Sequence, residues 1–147
     1  CLIALGGEVH LRSARKRRVV AADDYITGMM STSRHDDEII EAVSFPVRAG
    51  HGYGFREVAR RHGDFAITAC AAIASANGIR LAVAGVADKP EARDWPDLDG
   101  TALDDALNAF AYELDARDDI HATARYRRDL VREIGREVIK EARRCRA

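Results

Sequence analysis

Residues 65–83 read FAITACAAIASANGIRLAV, and this stretch decides the fold. Its apolar residues recur at every second position, which favours a strand over the helix that the alanines would otherwise permit. The residues that alternate are Phe65, Ile67, Ala69, Ala71 and Ile73. Asn77-Gly78 is typical of a two-residue hairpin turn, because both turn residues need a positive φ. Alternation resumes over residues 79–83, so the stretch predicts a β-hairpin.

A third strand is expected upstream of this hairpin. Residues 53–58 also alternate, and a polar corner at residues 61–64 separates them from the hairpin. We therefore predict a three-stranded antiparallel sheet. Downstream, residues 89–100 contain Pro90 and Pro96, and we interpret them as a linker.

Two helices are predicted after the linker. Thr101 is the expected N-cap of the first, with Asp104 at the capping-box position. Its apolar stripe would be Leu103, Ala106, Leu107, Phe110 and Leu114, and that of the second helix Tyr126, Leu130, Ile134, Val138 and Ala142. The second helix should also carry the i,i+3 pairs Glu133–Arg136, Glu137–Lys140 and Glu141–Arg144. A sheet followed by helices is typical of an α+β fold with the helices on one side.

The first 48 residues have a different character. We expect two strands within residues 1–20, joined by a basic turn, with a bulge at Gly6-Gly7. Residues 23–37 predict a loop with one short helical turn, and residues 38–47 another strand. Three glycines in residues 48–54 mark a boundary, so we place one domain at residues 1–48 and another at 49–147. Because the chain starts at Cys1 without methionine, we expect a fragment or a truncated product.

Composition excludes several classes of function. The 23 basic and 24 acidic side chains give a net charge of -1, which offers no bulk attraction to nucleic acid or anionic membranes. The arginines of the last helix alternate with glutamates that neutralise them, which argues against nucleic-acid binding. Three distant cysteines fit a reducing cytoplasm and no iron–sulfur cluster, and no apolar run approaches the ~20 residues of a membrane helix.

Residue types alone point to no catalytic constellation. The five histidines lack the spacing of a metal site, and the polar residues around His35 are interpreted as a solvated turn. No Gly-x-Gly-x-x-Gly or phosphate-loop pattern occurs. Arg56 and Arg60, four residues apart, should share one face of an extended strand. Two guanidiniums on one face can bind a diphosphate or the polar edge of a flavin, whereas the alternative is a solvated edge strand.

Several motifs resemble a known family when they are taken in order along the chain. They are ALGGEV at residues 4–9, DYITG at 24–28, DEII at 37–40, FREVARRHGDFA at 55–66, DIHA at 119–122 and YRR at 126–128. This series resembles the C-terminal part of the FAD-binding medium subunit of molybdenum hydroxylases, the carbon monoxide dehydrogenase and xanthine dehydrogenase family. The resemblance implies an α+β chain: the end of a flavin-binding α/β subdomain, then a three-stranded antiparallel sheet packed with C-terminal helices.

The resemblance also implies FAD as cofactor and four candidate flavin neighbours. Arg34 stands where the family usually places a leucine against the flavin ring. Arg56 stands where the family often has a basic residue, and the loop from Arg60 to Asp64 would lie beside the ring. None of these residues is expected to be a proton-transfer catalyst, and no metal ligand is expected.

The family's function gives the expected role. Its flavin passes electrons from iron–sulfur clusters to an acceptor, while substrate is oxidised at a molybdopterin-bound molybdenum on another subunit. We therefore expect a partial flavoprotein subunit of an oxidoreductase, not active alone, with iron–sulfur and molybdopterin subunits as partners. The alternative is a non-catalytic docking module or remnant that does not bind FAD by itself, since glycine loops supply most diphosphate contacts.

Overall fold

The N-terminal third forms a small sheet preceded by a short helix. In the computed structural model, which describes residues 1–146, its elements are α1 (Leu2–Leu5), β1 (Glu8–Arg12), β2 (Arg17–Ala21), α2 (Ala22–Tyr25), β3 (Ile26–Gly28), β4 (Ser31–Thr32) and β5 (Ile39–Ser44). The strand order is β2-β1-β5, all antiparallel, and β3 pairs with β4 in a separate hairpin. The basic hairpin, the short helical turn and the strand after it are confirmed.

The expectation for the first residues was wrong. Leu2–Leu5 form a helix rather than a strand, and Gly6 ends this helix with φ 64 rather than forming a bulge. Glycine reaches this left-handed conformation without a Cβ penalty, which is why it commonly terminates helices. Ile3 and Ala4 are buried against Ala82, so α1 lies on the second, larger sheet.

The rest of the chain forms a four-stranded antiparallel sheet with two helices. Its elements are β6 (Gly52–Val58), β7 (Thr68–Ser75), β8 (Gly78–Ala84), β9 (Glu91–Trp95), α3 (Gly100–Glu113) and α4 (Ala124–Cys145). The strands follow the order β6-β7-β8-β9, and the pairing of Ser75 with Gly78 closes the predicted hairpin. The α+β class is confirmed.

A fourth strand replaces part of the expected linker. Residues 91–95 pair antiparallel with β8, from Val83 opposite Glu91 to Ile79 opposite Trp95. The three-strand count was therefore wrong. Alternation is hidden in β9 because it is a partly exposed edge strand, in which charged residues stand on both faces.

The helices cover one face of this sheet, as expected, but the sequence pattern did not identify which face. Cys70, Ala72 and Ala74 of β7 lie in the core beneath the helices, whereas Ala69 and Ala71 face the opposite side. β7 also starts at Thr68 rather than at Phe65. Alanine occupies both faces of this strand, so a period of two could not distinguish them.

The predicted helical stripes are largely confirmed. Leu103, Leu107, Phe110 and Leu114 are buried beside Leu130, Ile134, Val138 and Ala142, whereas Tyr126 is 45% exposed. The cap of α3 is Asp99 rather than Thr101, because the Asp99 side chain accepts a hydrogen bond from Gly100 N.

The predicted ion pairs along α4 are replaced by pairs with other elements. Glu137 and Glu141 face Arg56 of β6, and Arg136 binds Asp104 of α3. These residues therefore tie the helix to its neighbours, and the i,i+3 pair found within α4 is Asp129–Arg132 rather than a predicted one. No helix within residues 1–146 has the length and apolar character needed to cross a membrane.

Candidate functional site

A cleft of about 890 Å³ opens at one end of the four-stranded sheet. One wall is the β3–β4 hairpin, and the others are loops before β7, after β8 and between α3 and α4. Its lining residues include Ile26, Met29, Met30, Arg60, Asp64, Phe65, Asp88, Lys89, Pro90, Arg117, Asp119, His121 and Arg127. The cleft is therefore built where turns from both parts of the chain meet.

Arg127 fixes three of these walls from within. This side chain is only 6% exposed, and its Nη1 donates to the carbonyl oxygens of Ile67 at 2.7 Å and Gly85 at 2.5 Å. Its Nη2 donates to Asp119 Oδ2 at 2.5 Å. One buried guanidinium thus holds the entry to β7, the exit of β8 and the α3–α4 loop at fixed positions.

Asp119 anchors the same loop. Its Oδ1 accepts hydrogen bonds from the backbone N–H groups of Ala122 at 2.9 Å and His121 at 2.8 Å. These two bonds, and to a smaller extent the contact with Arg127, lower the pKa of Asp119 to about 2. The carboxylate therefore stays ionised at neutral pH and is engaged in structure rather than available for proton transfer.

The rim of the cleft is apolar and exposed. Met30 is 99% exposed, Phe65 95% and Met29 71%, and Met30 adopts a positive φ of 55. Arg60 stands on the opposite rim, where its Nη1 lies 3.0 Å from His121 Nδ1. An opening with apolar edges and basic side chains suits a planar aromatic ligand that carries polar or anionic groups.

An apolar pocket of about 170 Å³ adjoins the cleft through the shared residues Ile26 and Pro90. It lies between α1 and the uncovered face of the four-stranded sheet, and Leu2, Phe55 and Ala71 line it. The cleft and this pocket are therefore neighbours, separated by the two residues that line both.

The structure brings together two of the four predicted flavin neighbours. Arg60 and Asp64 line the cleft, and Asp64 Oδ1 accepts a hydrogen bond from Phe65 N at 3.0 Å. Arg60 lies beyond the end of β6 at Val58, so the prediction that Arg56 and Arg60 share a strand face was wrong.

Arg34 and Arg56 are engaged outside the cleft. Arg34 Nη1 donates to the carbonyl oxygens of His35 at 2.9 Å and Glu38 at 2.6 Å. Arg56 turns toward α4, with its Nε 3.3 Å from Glu137 Oε2 and 3.8 Å from Glu141 Oε2. Neither residue is among those that line the cleft or its apolar pocket.

The turn around His35 is less solvated than its composition indicates. Glu38 is 7% exposed and binds Arg18 through Nε at 2.7 Å and Nη2 at 2.8 Å. The hydrogen bond from Arg18, and to a smaller extent the one from His35 N, lower the pKa of Glu38 to about 2. This buried pair positions the loop that carries Arg34.

The side chains that organise the cleft were not among the predicted site residues. Arg127, Asp119 and His121 fall within the DIHA and YRR motifs, and those motifs pointed only to a family. Arg127 could have been found from the sequence, because an arginine within the apolar stripe of an amphipathic helix indicates a buried, paired guanidinium. Within residues 1–146, no group of three or more His, Cys, Asp or Glu side chains is placed to hold a metal ion.

Sequence similarity to known proteins extends along nearly the whole chain. The model of a family described as the FAD binding domain in molybdopterin dehydrogenase matches residues 1–48. The nicotine 6-hydroxylase medium subunit of Paenarthrobacter nicotinovorans is 39% identical over 155 residues, covering 96% of this chain and 54% of that subunit. The carbon monoxide dehydrogenase medium chain of Afipia carboxidovorans is 32% identical over 108 residues, covering 68% of this chain and 38% of that one.

Solved structures extend the likeness to the whole fold. A reconstituted CO dehydrogenase from Oligotropha carboxidovorans matches with a TM-score of 0.87 and 27% identity, covering 99% of this chain and 55% of that one. Quinoline 2-oxidoreductase from Pseudomonas putida 86 matches with a TM-score of 0.84 and 26% identity, with the same coverage. The chain is similar, over nearly its whole length, to FAD-binding medium subunits of molybdenum hydroxylases. It spans about half the length of the relatives it matches.

The similarity to these subunits implies FAD binding, and the cleft fits part of that cofactor. Met29, Met30 and Phe65 offer exposed apolar surface to a flavin ring, while Arg60 and Lys89 offer donors to its polar groups. The sequence has no glycine-rich phosphate loop. The residues present therefore fit the ring portion of FAD rather than its diphosphate.

Proposed function

We propose that this chain forms the flavin-covering part of a medium subunit and that the cleft contacts the ring portion of FAD. Bound FAD would supply the redox chemistry, accepting electrons from iron–sulfur clusters and passing them to an acceptor. The observation that carries the proposal is a cleft rimmed by exposed apolar side chains, in which Arg60 and Lys89 make no salt bridge within residues 1–146. Its other arginines, Arg117 and Arg127, are paired with aspartates.

Each side chain of the cleft then has a physical role. Met29, Met30 and Phe65 would lie against the ring and exclude water from it, which strengthens polar contacts nearby. Arg60 and Lys89 would donate hydrogen bonds to the carbonyl oxygens of the flavin ring. Asp64 would hold the loop before β7 through its bond to Phe65 N.

The expected partners follow from the same proposal. An iron–sulfur subunit and a molybdopterin subunit would complete the electron path, since the relatives carry the names of medium subunits and medium chains. Substrate oxidation would take place on the molybdopterin subunit. The contribution of this chain is therefore to position the cofactor and to exclude solvent from it.

A second candidate function is a docking module that does not hold FAD alone. Strand β5 is exposed along its whole length, and Ile39 is 64%, Ile40 50%, Val43 43% and Phe45 51% exposed. Exposed apolar patches of this kind usually mark interaction sites. A chain that served only as a docking module would keep this surface and show no affinity for FAD.

Titration of the 147-residue chain into FAD, followed by quenching of free flavin emission, separates the two candidates. The flavin-covering function predicts saturable quenching, weakened about tenfold in Arg60→Gln because a hydrogen bond to a charged donor is lost. Arg61→Gln is the matched control, since Arg61 is the neighbouring exposed arginine and does not line the cleft. Absence of quenching would contradict the cleft assignment and favour docking, whereas saturable quenching with equal affinity of Arg60→Gln and the parent chain would place FAD elsewhere than in this cleft.

A further inference from the structure

A second pocket, of about 280 Å³, lies at the opposite end of the four-stranded sheet from the FAD cleft. It sits beside the β7–β8 turn and the end of β9, and the Gly6 cap of α1 closes one side. The pocket and the cleft have no lining residue in common. A ligand of this pocket would therefore occupy a site separate from the cleft.

Basic side chains converge on this pocket. Arg48, His51 and Arg80 line it, and Asp94 is the only acidic side chain among the lining residues. Asp94 Oδ2 accepts from Arg80 Nη1 at 2.5 Å, and Asp23 Oδ2, which is outside the pocket lining, lies 3.8 Å from Arg80 Nη2, so carboxylates offset the charge of Arg80. Among residues 1–146, Arg48 makes no salt bridge, which leaves an excess positive charge in the pocket.

Two buried nitrogen atoms in the same wall lack partners. Arg80 Nε and His51 Nδ1 are shielded from solvent and make no hydrogen bond to any atom of residues 1–146. A buried donor left unsatisfied costs free energy, so native proteins rarely tolerate one without a water or ligand partner. Arg80 Nε carries a proton and therefore lacks an acceptor, whereas His51 Nδ1 needs an acceptor only in the tautomer that protonates it.

We propose that this pocket binds a small oxyanion, the carboxylate or phosphate group of a ligand whose remaining part lies against Trp95. Arg48 and Arg80 present planar forks that match the oxygens of either group. His51 would donate a further hydrogen bond, and Trp95 supplies an aromatic wall fixed edge-on against Phe110 at a centroid distance of 5.7 Å. Polar groups that converge beside an aromatic surface are typical of small-ligand sites.

Trp95 is the single tryptophan of the chain and reports on the pocket directly. Its emission is measured while inorganic phosphate, and separately acetate, is added to the 147-residue chain, with ionic strength held constant by sodium chloride. Saturable change with either anion supports the site. Tighter binding of phosphate indicates a phosphorylated ligand, and tighter binding of acetate indicates a carboxylate ligand. No saturable change with either anion overturns the proposal.

Two variants are expected to change the affinity for the anion in opposite directions. Arg48→Gln removes a donor and should weaken binding about tenfold, whereas Asp94→Asn releases Arg80 from its competing carboxylate and should tighten binding. Arg61→Gln, at the other end of the sheet, is the control and should leave the affinity unchanged. Equal affinities of all three variants and the parent chain would show nonspecific ion binding and overturn the assignment.

Discussion

Arg127 shows how one side chain organises a whole cleft. Substitution by methionine keeps most of the side-chain volume but leaves the carbonyl oxygens of Ile67 and Gly85 without their donor. We expect the free energy of unfolding to fall by at least about 2 kcal/mol, since each buried acceptor without a partner costs about 1–3 kcal/mol. Urea unfolding followed by circular dichroism measures the change.

Arg125→Met is the matched control for Arg127→Met. Arg125 belongs to the first turn of the same helix, is exposed, and makes no salt bridge within residues 1–146. The control should change the unfolding free energy by less than about 0.5 kcal/mol. Similar losses in the two variants would show that charge at the start of α4, rather than the buried contacts, determines stability.

Of the four predicted flavin neighbours, two line the cleft and two do not, and the difference has a physical reason. Arg60 and Asp64 follow one another closely in a polar loop, so sequence proximity was enough to place them together. Arg56 required knowledge of which face of β6 meets α4, and Arg34 required the buried pair of Glu38 with Arg18. Such contacts join segments distant in sequence, and residue spacing carries no information about them.

Most helices and strands were predicted from strong local sequence patterns, whereas elements with weak patterns were missed. The β7–β8 hairpin and the periodic stripes of α3 and α4 agree with the structure because turn signals and helical period act over a few residues. The turn itself is shifted by one residue: Gly78 pairs with Ser75, so Ala76 and Asn77 lie in the turn, and Gly78 but not Asn77 has a positive φ. Strand β9 and helix α1 were missed for a different reason. Both are stabilised by packing on the large sheet, β9 through its ladder with β8 and α1 through burial of Ile3 and Ala4.

The close contact between β6 and α4 depends on two glycines. A Cβ at Gly52 would lie 1.8 Å from Ala142 O, and one at Gly54 2.2 Å from Val138 O. Gly54→Ala should therefore push α4 away from the sheet and destabilise the protein by about 1–3 kcal/mol, as overpacking does. The midpoint of urea unfolding measures this loss.

Gly28→Ala provides the comparison for Gly54→Ala. Its added Cβ would meet only Ser31 Cβ, at an ordinary 3.9 Å. The stability of this variant should stay near that of the parent chain. If Gly54→Ala is equally harmless, α4 adjusts freely over β6, and the glycines do not set the distance between them.

At the scale of the whole molecule, the core is unevenly distributed. Every residue of the largest buried cluster lies between Ile67 and Ala142. The first 48 residues contribute Val9, Leu11 and Tyr25 to a small cluster of their own, and Ile3, Ala4 and Ala22 to a cluster shared with Ala82. We propose that residues 49–147 are the domain that folds independently, and that residues 1–48 depend on it.

This division predicts different behaviour for the two pieces. Residues 49–147 alone should unfold cooperatively in urea, because they retain the sheet, both helices and the largest core, and chains of this length can bury enough apolar surface to fold. Their midpoint should lie below that of the intact chain, since α1 no longer covers Ala82 and Ala71. Residues 1–48 alone should show no cooperative transition. If residues 49–147 unfold without cooperativity, the small sheet is required for the large one, and the seam near Arg48 lies inside a single folding unit rather than between two.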